Sequence, residues 1–366
     1  MAHWIRILGI SLLSLTILGG NAAVRAGKIP AGSSKIQYFG RWDAQNNVCR
    51  CASGAAYIKA VFTGTSIKAD LTDTDVWWQV SIDGNDFRRF RSQGRDTVLA
   101  EDLSPGMHTL LLVRATEGDA GVSEFRGFTL DDHATLLRPE PMKKRRLEFV
   151  GDSISAGAMN LGKYTGENYY EVEDSDMAYG PQLARMLDAD YSVVANSGQG
   201  IAHNYAEQPP YTEIHAADSY GWTFPCKEPV KDNIRWDARS FPVDATIVSM
   251  GTNDFTDRDH LTPEDFKNGY RNLLACIRKV NPNKTIICVE PLPSWLGADA
   301  RRWIREAVAD MKTAGESNIY FIPVNEERPL LSAGDYTDGE THPNRNGSSR
   351  LAGYLKDKVA AILGWQ

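Results

Sequence analysis

From residue 55 to residue 82 apolar and polar positions alternate with a period of two, which places successive side chains on opposite faces of a strand. The run "AAYIKAVFTGTSIKADL" alternates, breaks at Gly64 and alternates again. In "VWWQVSIDGND" one face carries Val76, Trp78, Val80 and Ile82. Asp83-Gly84 follows, and both residue types tolerate positive φ, which is a hairpin signal. "DLSPGMHTLLLV" adds a Pro-Gly turn and another strand, and "EGDAG" a further turn before "SEFRGFTL". About six to eight short strands at this spacing predict an all-β sandwich or jelly roll over residues 28–138, with no helical pattern inside it.

The pattern changes at "LLRPEPMKKRRLEFV", where two prolines and a basic run predict a linker at 139–145. From 146 to 366 apolar runs alternate with helical periodicity. Strands are predicted at "LEFVG", "YSVVANSG", "ATIVSMG", "TIICVEP" and "IYFIPV". The clearest helix runs from Thr262 to Val280: Thr262 is a good N-cap, Pro263 fits the first helical position and Asp265 puts negative charge in the first turn. Phe266, Tyr270, Leu273, Ile277 and Val280 then recur at helical spacing. A last helix is expected after Asn346. Strands alternating with helices imply a five-stranded parallel sheet covered on both faces, with any ligand site at the carboxyl ends of its strands.

The N-terminal segment reads as a signal peptide over residues 1–26: Arg6 is the positive element, residues 7–18 are mostly apolar, and small residues follow. That apolar run is short for a membrane span, so the mature protein is expected to be secreted and free of the membrane. The net charge of -7 gives no basic field for nucleic acid, and KKRR at 143–146 reads as a solvated strand entry. Export permits disulfides, but five cysteines leave at least one unpaired. Cys276 and Cys288 fall on apolar faces and read as buried thiols. Cys49-x-Cys51 has no matching cluster downstream, so no metal site is expected.

The strand ends carry the chemistry. The first ends in Gly151-Asp152-Ser153, the second in "NSGQG" around Gly198, and the third in Gly251-Thr252-Asn253-Asp254. The loop after the last strand reads "YTDGETHPN" and holds His342. Singly, Ser153 is an ordinary helix cap, Asn253 a turn residue, Gly198 a positive-φ position and His342 a loop residue. Jointly, at one edge of one sheet, they are the inventory of acyl transfer: a nucleophile that needs a base, and donors for an oxyanion.

The segments "GDSIS", "NSGQG", "GTND" and "THPN" resemble the four blocks of the SGNH (GDSL) hydrolases, from residue 146 to the C-terminus. Ahead of them, "YFGRWD", "AVFTGTSIKADL" and "VSIDG" resemble the jelly roll of carbohydrate esterase family two, whose members remove acetyl groups from plant polysaccharides. The resemblance implies an acetyl esterase with Ser153 as nucleophile, His342 as base, and Ser153, Gly198 and Asn253 as oxyanion donors. It implies no cofactor and an acetylated polysaccharide or oligosaccharide as substrate. Two departures stand out. The family's Asp three residues before the His is here Gly339, and Asp338 lies one residue further back. A backbone carbonyl is therefore favoured as the group that orients His342, with Asp338 as the alternative triad member and Glu340 an outside one. The family's frequent Trp before the His is here Thr341, so Trp295 and, less directly, Tyr205 are the expected sugar-facing aromatics. Other readings on the same scaffold are a lipase-like or peptidoglycan O-acetyl esterase. A carbohydrate-binding protein with an inactive hydrolase domain is a reading of a different class.

Overall fold

The computed structural model describes residues 27–45, 47–73 and 76–365; the expected signal peptide lies outside the described residues. The first half is a sandwich of two antiparallel sheets, each six-stranded. One runs Asp43–Gln45, Val48–Cys51, Ser123–Leu130, Ile67–Leu71 and Thr97–Ala100, with Gly27–Pro30 also pairing to Ser123–Leu130. The other runs Leu136–Leu137, Tyr57–Gly64, Gly106–Arg114, Trp77–Ile82 and Arg88–Arg91, with Gln37–Phe39 also pairing to Tyr57–Gly64. That is more strands than the alternation predicted. The extra ones, such as Leu136–Leu137 and Gln37–Phe39, are two or three residues long, too short to show a period. The predicted turn is present, with φ of 56° at Asp83 and 73° at Gly84.

The turn between Tyr57–Gly64 and Ile67–Leu71 is held by one carboxylate. Asp131 accepts the backbone N–H groups of Thr65 and Ser66 and both of their hydroxyls. Its slight burial works upward on its pKa, but these four donors outweigh it and bring it down to about 2. A depressed carboxylate pKa adds stability that is fully present above the unfolded value, about 4, and is lost as pH falls through the folded value. Asp131→Ala should therefore lower the thermal midpoint at neutral pH, by a stability loss of about 1 kcal/mol once solvent screening is allowed for. The difference from wild type should close as pH approaches about 2. A gap that persists unchanged at low pH would show that packing, and not the charge, holds the turn.

Residues 138–144 carry neither strand nor helix, and a five-stranded parallel sheet begins beyond them. Its strands are β1 (Arg145–Gly151), β2 (Ala189–Ala195), β3 (Ala245–Ser249), β4 (Thr285–Val289) and β5 (Ile319–Ile322), in the order β2-β1-β3-β4-β5. Six α-helices among the described residues accompany it: α1 (Ser153–Ala156), α2 (Tyr179–Met186), α3 (Ala216–Tyr220), α4 (Pro263–Val280), α5 (Gly297–Thr313) and α6 (Arg345–Leu363). α4 starts where the sequence predicted, with the Thr262 side chain accepting the Asp265 N–H. α6 begins one residue before Asn346, because the Asn344 side chain caps it by accepting two N–H groups. β2 and β3 are buried along their whole length, as a sheet covered on both faces requires.

The two halves share a core. Phe39, Ala55, Tyr57 and Val113 of the sandwich pack in one cluster with Leu147, Phe149, Tyr191 and Phe241. Phe39 stacks on Tyr57 at 4.3 Å between ring centroids, and the Tyr57 hydroxyl donates to Asp190 at 2.9 Å. The Arg41 guanidinium, fully buried, pairs with Glu148 at the same 2.9 Å. Five free thiols complete the chemistry of the interior; Cys276 is half-buried and the other four are buried.

Candidate active site

The carboxyl edge of the parallel sheet gathers the predicted residues. β1 ends at Gly151, and the next residue, Asp152, turns the chain into α1. The Asp152 carboxylate caps α1 by accepting the Ile154 N–H at 3.1 Å. Burial pushes this carboxyl upward, and the bond from Ile154 opposes it. Because Asp152 does the capping, the Ser153 hydroxyl is free for another partner. That partner is His342, whose Nε2 lies 2.9 Å from Ser153 Oγ across 189 residues of sequence.

His342 sits in a turn pinned at both ends. Tyr336 and Pro343 form an isolated antiparallel bridge, and the Thr337 N–H donates to the His342 carbonyl at 2.9 Å. Inside the turn the Asp338 side chain folds back. One carboxylate oxygen accepts the N–H groups of Thr341 (3.2 Å) and His342 (2.9 Å), and the other lies 2.5 Å from His342 Nδ1. A carboxylate, and not the backbone carbonyl favoured from the sequence, therefore meets the imidazole. Gly339 explains the shifted register: its φ of 110° is open to glycine and lets the extra residue loop out while the carboxylate returns to the ring. Glu340 is exposed on that loop. Burial alone would raise the Asp338 pKa, but the His342 ring and the two backbone donors hold it below the ordinary carboxylate range. With Nδ1 bonded to Asp338, Nε2 is left to accept the serine proton.

Opposite the histidine lie Gly198 and Asn253. Gly198 has φ of 73°, which suits glycine at this turn. The Asn253 amide donates one hydrogen to the Gln199 carbonyl at 2.9 Å, tying the third strand's loop to the second's, and keeps another for the pocket. Asp254, fully buried, strengthens that tie by accepting the N–H groups of Ile201, Ala202 and His203. Burial pushes its carboxyl up while these donors pull it down.

Ser153, Gly198, Asn253, Asp338 and His342 line a single open pocket of about 530 Å³. Trp295 and Tyr205 line it too. The Trp295 indole N–H donates to the Thr341 hydroxyl at 3.2 Å, so the Thr that replaces the family's Trp positions another Trp instead. Tyr205 is 64% exposed. Sequence reasoning missed Met159, Tyr164, Tyr169 and Lys227 in the same wall. The tyrosines were within reach, since "KYTGENYY" is an aromatic run in a loop soon after Ser153. Lys227 carries no local signal. Among the described residues no group of His, Cys, Asp or Glu is arranged to hold a metal.

Two family models match the two halves of the chain. The carbohydrate esterase 2 N-terminal model matches residues 38–140, and the GDSL-like lipase/acylhydrolase family model matches 149–350. The chain belongs to the GDSL-like lipase/acylhydrolase family. Within this family of ester hydrolases it is similar to family two carbohydrate esterases along most of its length. It is 28% identical over 337 residues to the cellulase/esterase CelE of Acetivibrio thermocellus, covering 90% of this chain and 40% of that protein. It is 26% identical to an acetylxylan esterase/glucomannan deacetylase of Cellvibrio japonicus, covering 82% of each. The solved family two carbohydrate esterase from Clostridium thermocellum, in complex with cellohexaose, superposes with a TM-score of 0.79 at 27% identity, over 90% of this chain and 100% of that one. No helix among the described residues of this GDSL-like chain is long and apolar enough to cross a membrane.

Proposed function

We propose that the chain is an exported acetyl esterase that deacetylates plant polysaccharides such as xylan or glucomannan through a covalent acetyl-serine on Ser153. The observation that carries this reading is the hydrogen-bonded series Ser153 Oγ, His342 and Asp338 at the wall of an aromatic pocket. Ser153 Oγ attacks the acetyl carbonyl carbon and passes its proton to His342 Nε2. The oxygen that becomes negative is met by the Ser153 and Gly198 N–H groups and the Asn253 amide. His342 then returns the proton to the departing sugar oxygen as the ester C–O bond breaks. A water, deprotonated by the same nitrogen, releases acetate and restores the serine. Asp338 orients the ring and stabilises it when charged.

Acetate release from acetylated xylan, acetylated glucomannan and O-acetylated peptidoglycan tests the substrate class. The plant polymers should be the better substrates, and a preference for peptidoglycan would overturn that part of the reading. Asn253→Ala should lower kcat by about a hundred- to a thousandfold with little change in KM. An effect confined to KM would make Asn253 a ground-state contact. Trp295→Ala should raise KM for an acetylated oligosaccharide about tenfold, the scale of one aromatic contact. KM for 4-nitrophenyl acetate, which has no sugar ring to stack, should stay within about twofold. Equal effects on both substrates would remove Trp295 from sugar recognition.

A further inference from the structure

One buried turn of the sandwich reaches the catalytic pocket. Glu117 precedes the 3₁₀ turn Gly118–Ala120 and is 1% exposed. Its carboxylate accepts the Ser197 N–H at 2.5 Å, and its own N–H donates to the buried Glu173 carboxylate at 2.7 Å. Two residues on, Asp119 binds Lys227 twice, through the ammonium at 3.1 Å and the backbone N–H at 3.3 Å. Between them Gly118 lies against the catalytic half: a Cβ there would stand 2.9 Å from Asn196 Oδ1 and 3.2 Å from Cys226 Sγ. Ser197 and Lys227, the two groups gripped, both line the pocket that holds Ser153.

We propose that Glu117, in the β-sandwich, is a positioning residue for ester hydrolysis: by holding the Ser197 N–H it anchors the Asn196–Ser197 peptide, the unit directly ahead of the Gly198 N–H that serves as an oxyanion donor. This rests on the assignment of Gly198 to the oxyanion hole. The segment after Gly198 is fixed from within the catalytic half. The Tyr205 N–H holds the Gly198 carbonyl at 2.8 Å, Asn253 holds Gln199, Asn204 holds the Gly200 N–H and Asp254 holds residues 201–203. The peptide one unit ahead, Asn196–Ser197, is held from the sandwich, where Glu117 accepts the Ser197 N–H. An oxyanion donor acts only if it is set in place before the charge develops, and displacements well under 1 Å are costly.

The surroundings of Glu117 fit a functional contact better than packing. A carboxylate without water is expensive, and an apolar residue would fill the same space at less cost. Here Glu117 faces Glu173, Asp119, Tyr169 and Tyr170, with Lys227 as its opposing charge, while Arg114 opposes the neighbouring Glu173. Burial and then Asp119 push its carboxyl upward, and the Ser197 N–H and Lys227 work against that. Strongly shifted acids of this kind concentrate at functional sites.

Glu117→Ala, Glu117→Gln and Glu117→Asp, with Ser153→Ala as reference, are compared on 4-nitrophenyl acetate together with thermal unfolding. Glu117→Ala should lower kcat about ten- to a hundredfold and leave KM within about twofold. Glu117→Gln keeps an acceptor oxygen and should recover most of the loss. Glu117→Asp keeps the charge but draws the oxygen back by one methylene, and should resemble the Ala variant. If Glu117→Ala does not fold, the Gln and Asp pair decides alone. Wild-type kcat in Glu117→Ala or Glu117→Asp, or a Gln variant as slow as Ala at unchanged thermal stability, would overturn the proposal. An inactive wild type would instead overturn the esterase reading itself, and an active Ser153→Ala the assignment of Ser153 as nucleophile.

Discussion

Ser153→Ala is expected to lower kcat for acetyl-ester hydrolysis by about five to six orders of magnitude while the protein keeps its fold. The size follows from the serine being the atom that bonds to carbon, so that base and oxyanion donors act on nothing once it is gone. The intact fold follows from the division of labour at the end of β1. Asp152 caps α1, and the Ser153 hydroxyl makes its bond to His342. The variant should therefore give an unchanged circular dichroism spectrum and should still bind an acetylated oligosaccharide. Turnover within about tenfold of wild type, with that spectrum intact, would reduce Ser153 to a helix-end residue and overturn the acetyl-serine mechanism.

The second large effect is expected at Asp338, where Ala should cost about a thousandfold in kcat and His342→Ala as much as the loss of Ser153. Had a backbone carbonyl oriented the ring, removing Asp338 would cost less than about tenfold. A true triad aspartate is worth about ten-thousandfold. The expected value is set below that because Asp338 lies on an exposed turn, with its side chain 25% accessible, and water partly screens it. Held below the usual carboxylate range, Asp338 stays ionised through neutral pH, which is the state the charged imidazole needs beside it. A loss under about tenfold, with His342 in place, would return the site to a dyad.

Much of this architecture is written locally. Thr262, Pro263 and Asp265 announce the start of α4 because capping acts over three residues. The glycine-flanked motifs at the ends of β1, β2 and β3 announce the site edge because a parallel sheet brings its carboxyl ends together. What was not legible depends on distance or on a single backbone angle. The short sandwich strands pair through partners far along the chain and carry no period of their own. The reach of Asp338 depends on Gly339 at φ of 110°, a conformation the residue type permits without demanding. The grip of Glu117 on Ser197 spans 80 residues and joins the sandwich to the parallel-sheet half, and no spacing rule connects them.

Ser153 and the His342 that meets it stand 189 residues apart, and that separation has a meaning in time. A chain made from its N-terminus completes the nucleophile's strand well before the loop with His342 exists. Until that loop forms and α6 settles on α2, Ser153 is an ordinary alcohol with no base. On the proposed reading, the growing polypeptide lacks its base, and with it any reactivity toward esters, until the loop that carries His342 has been made. On that reading, chain order itself would withhold ester hydrolysis from incomplete copies.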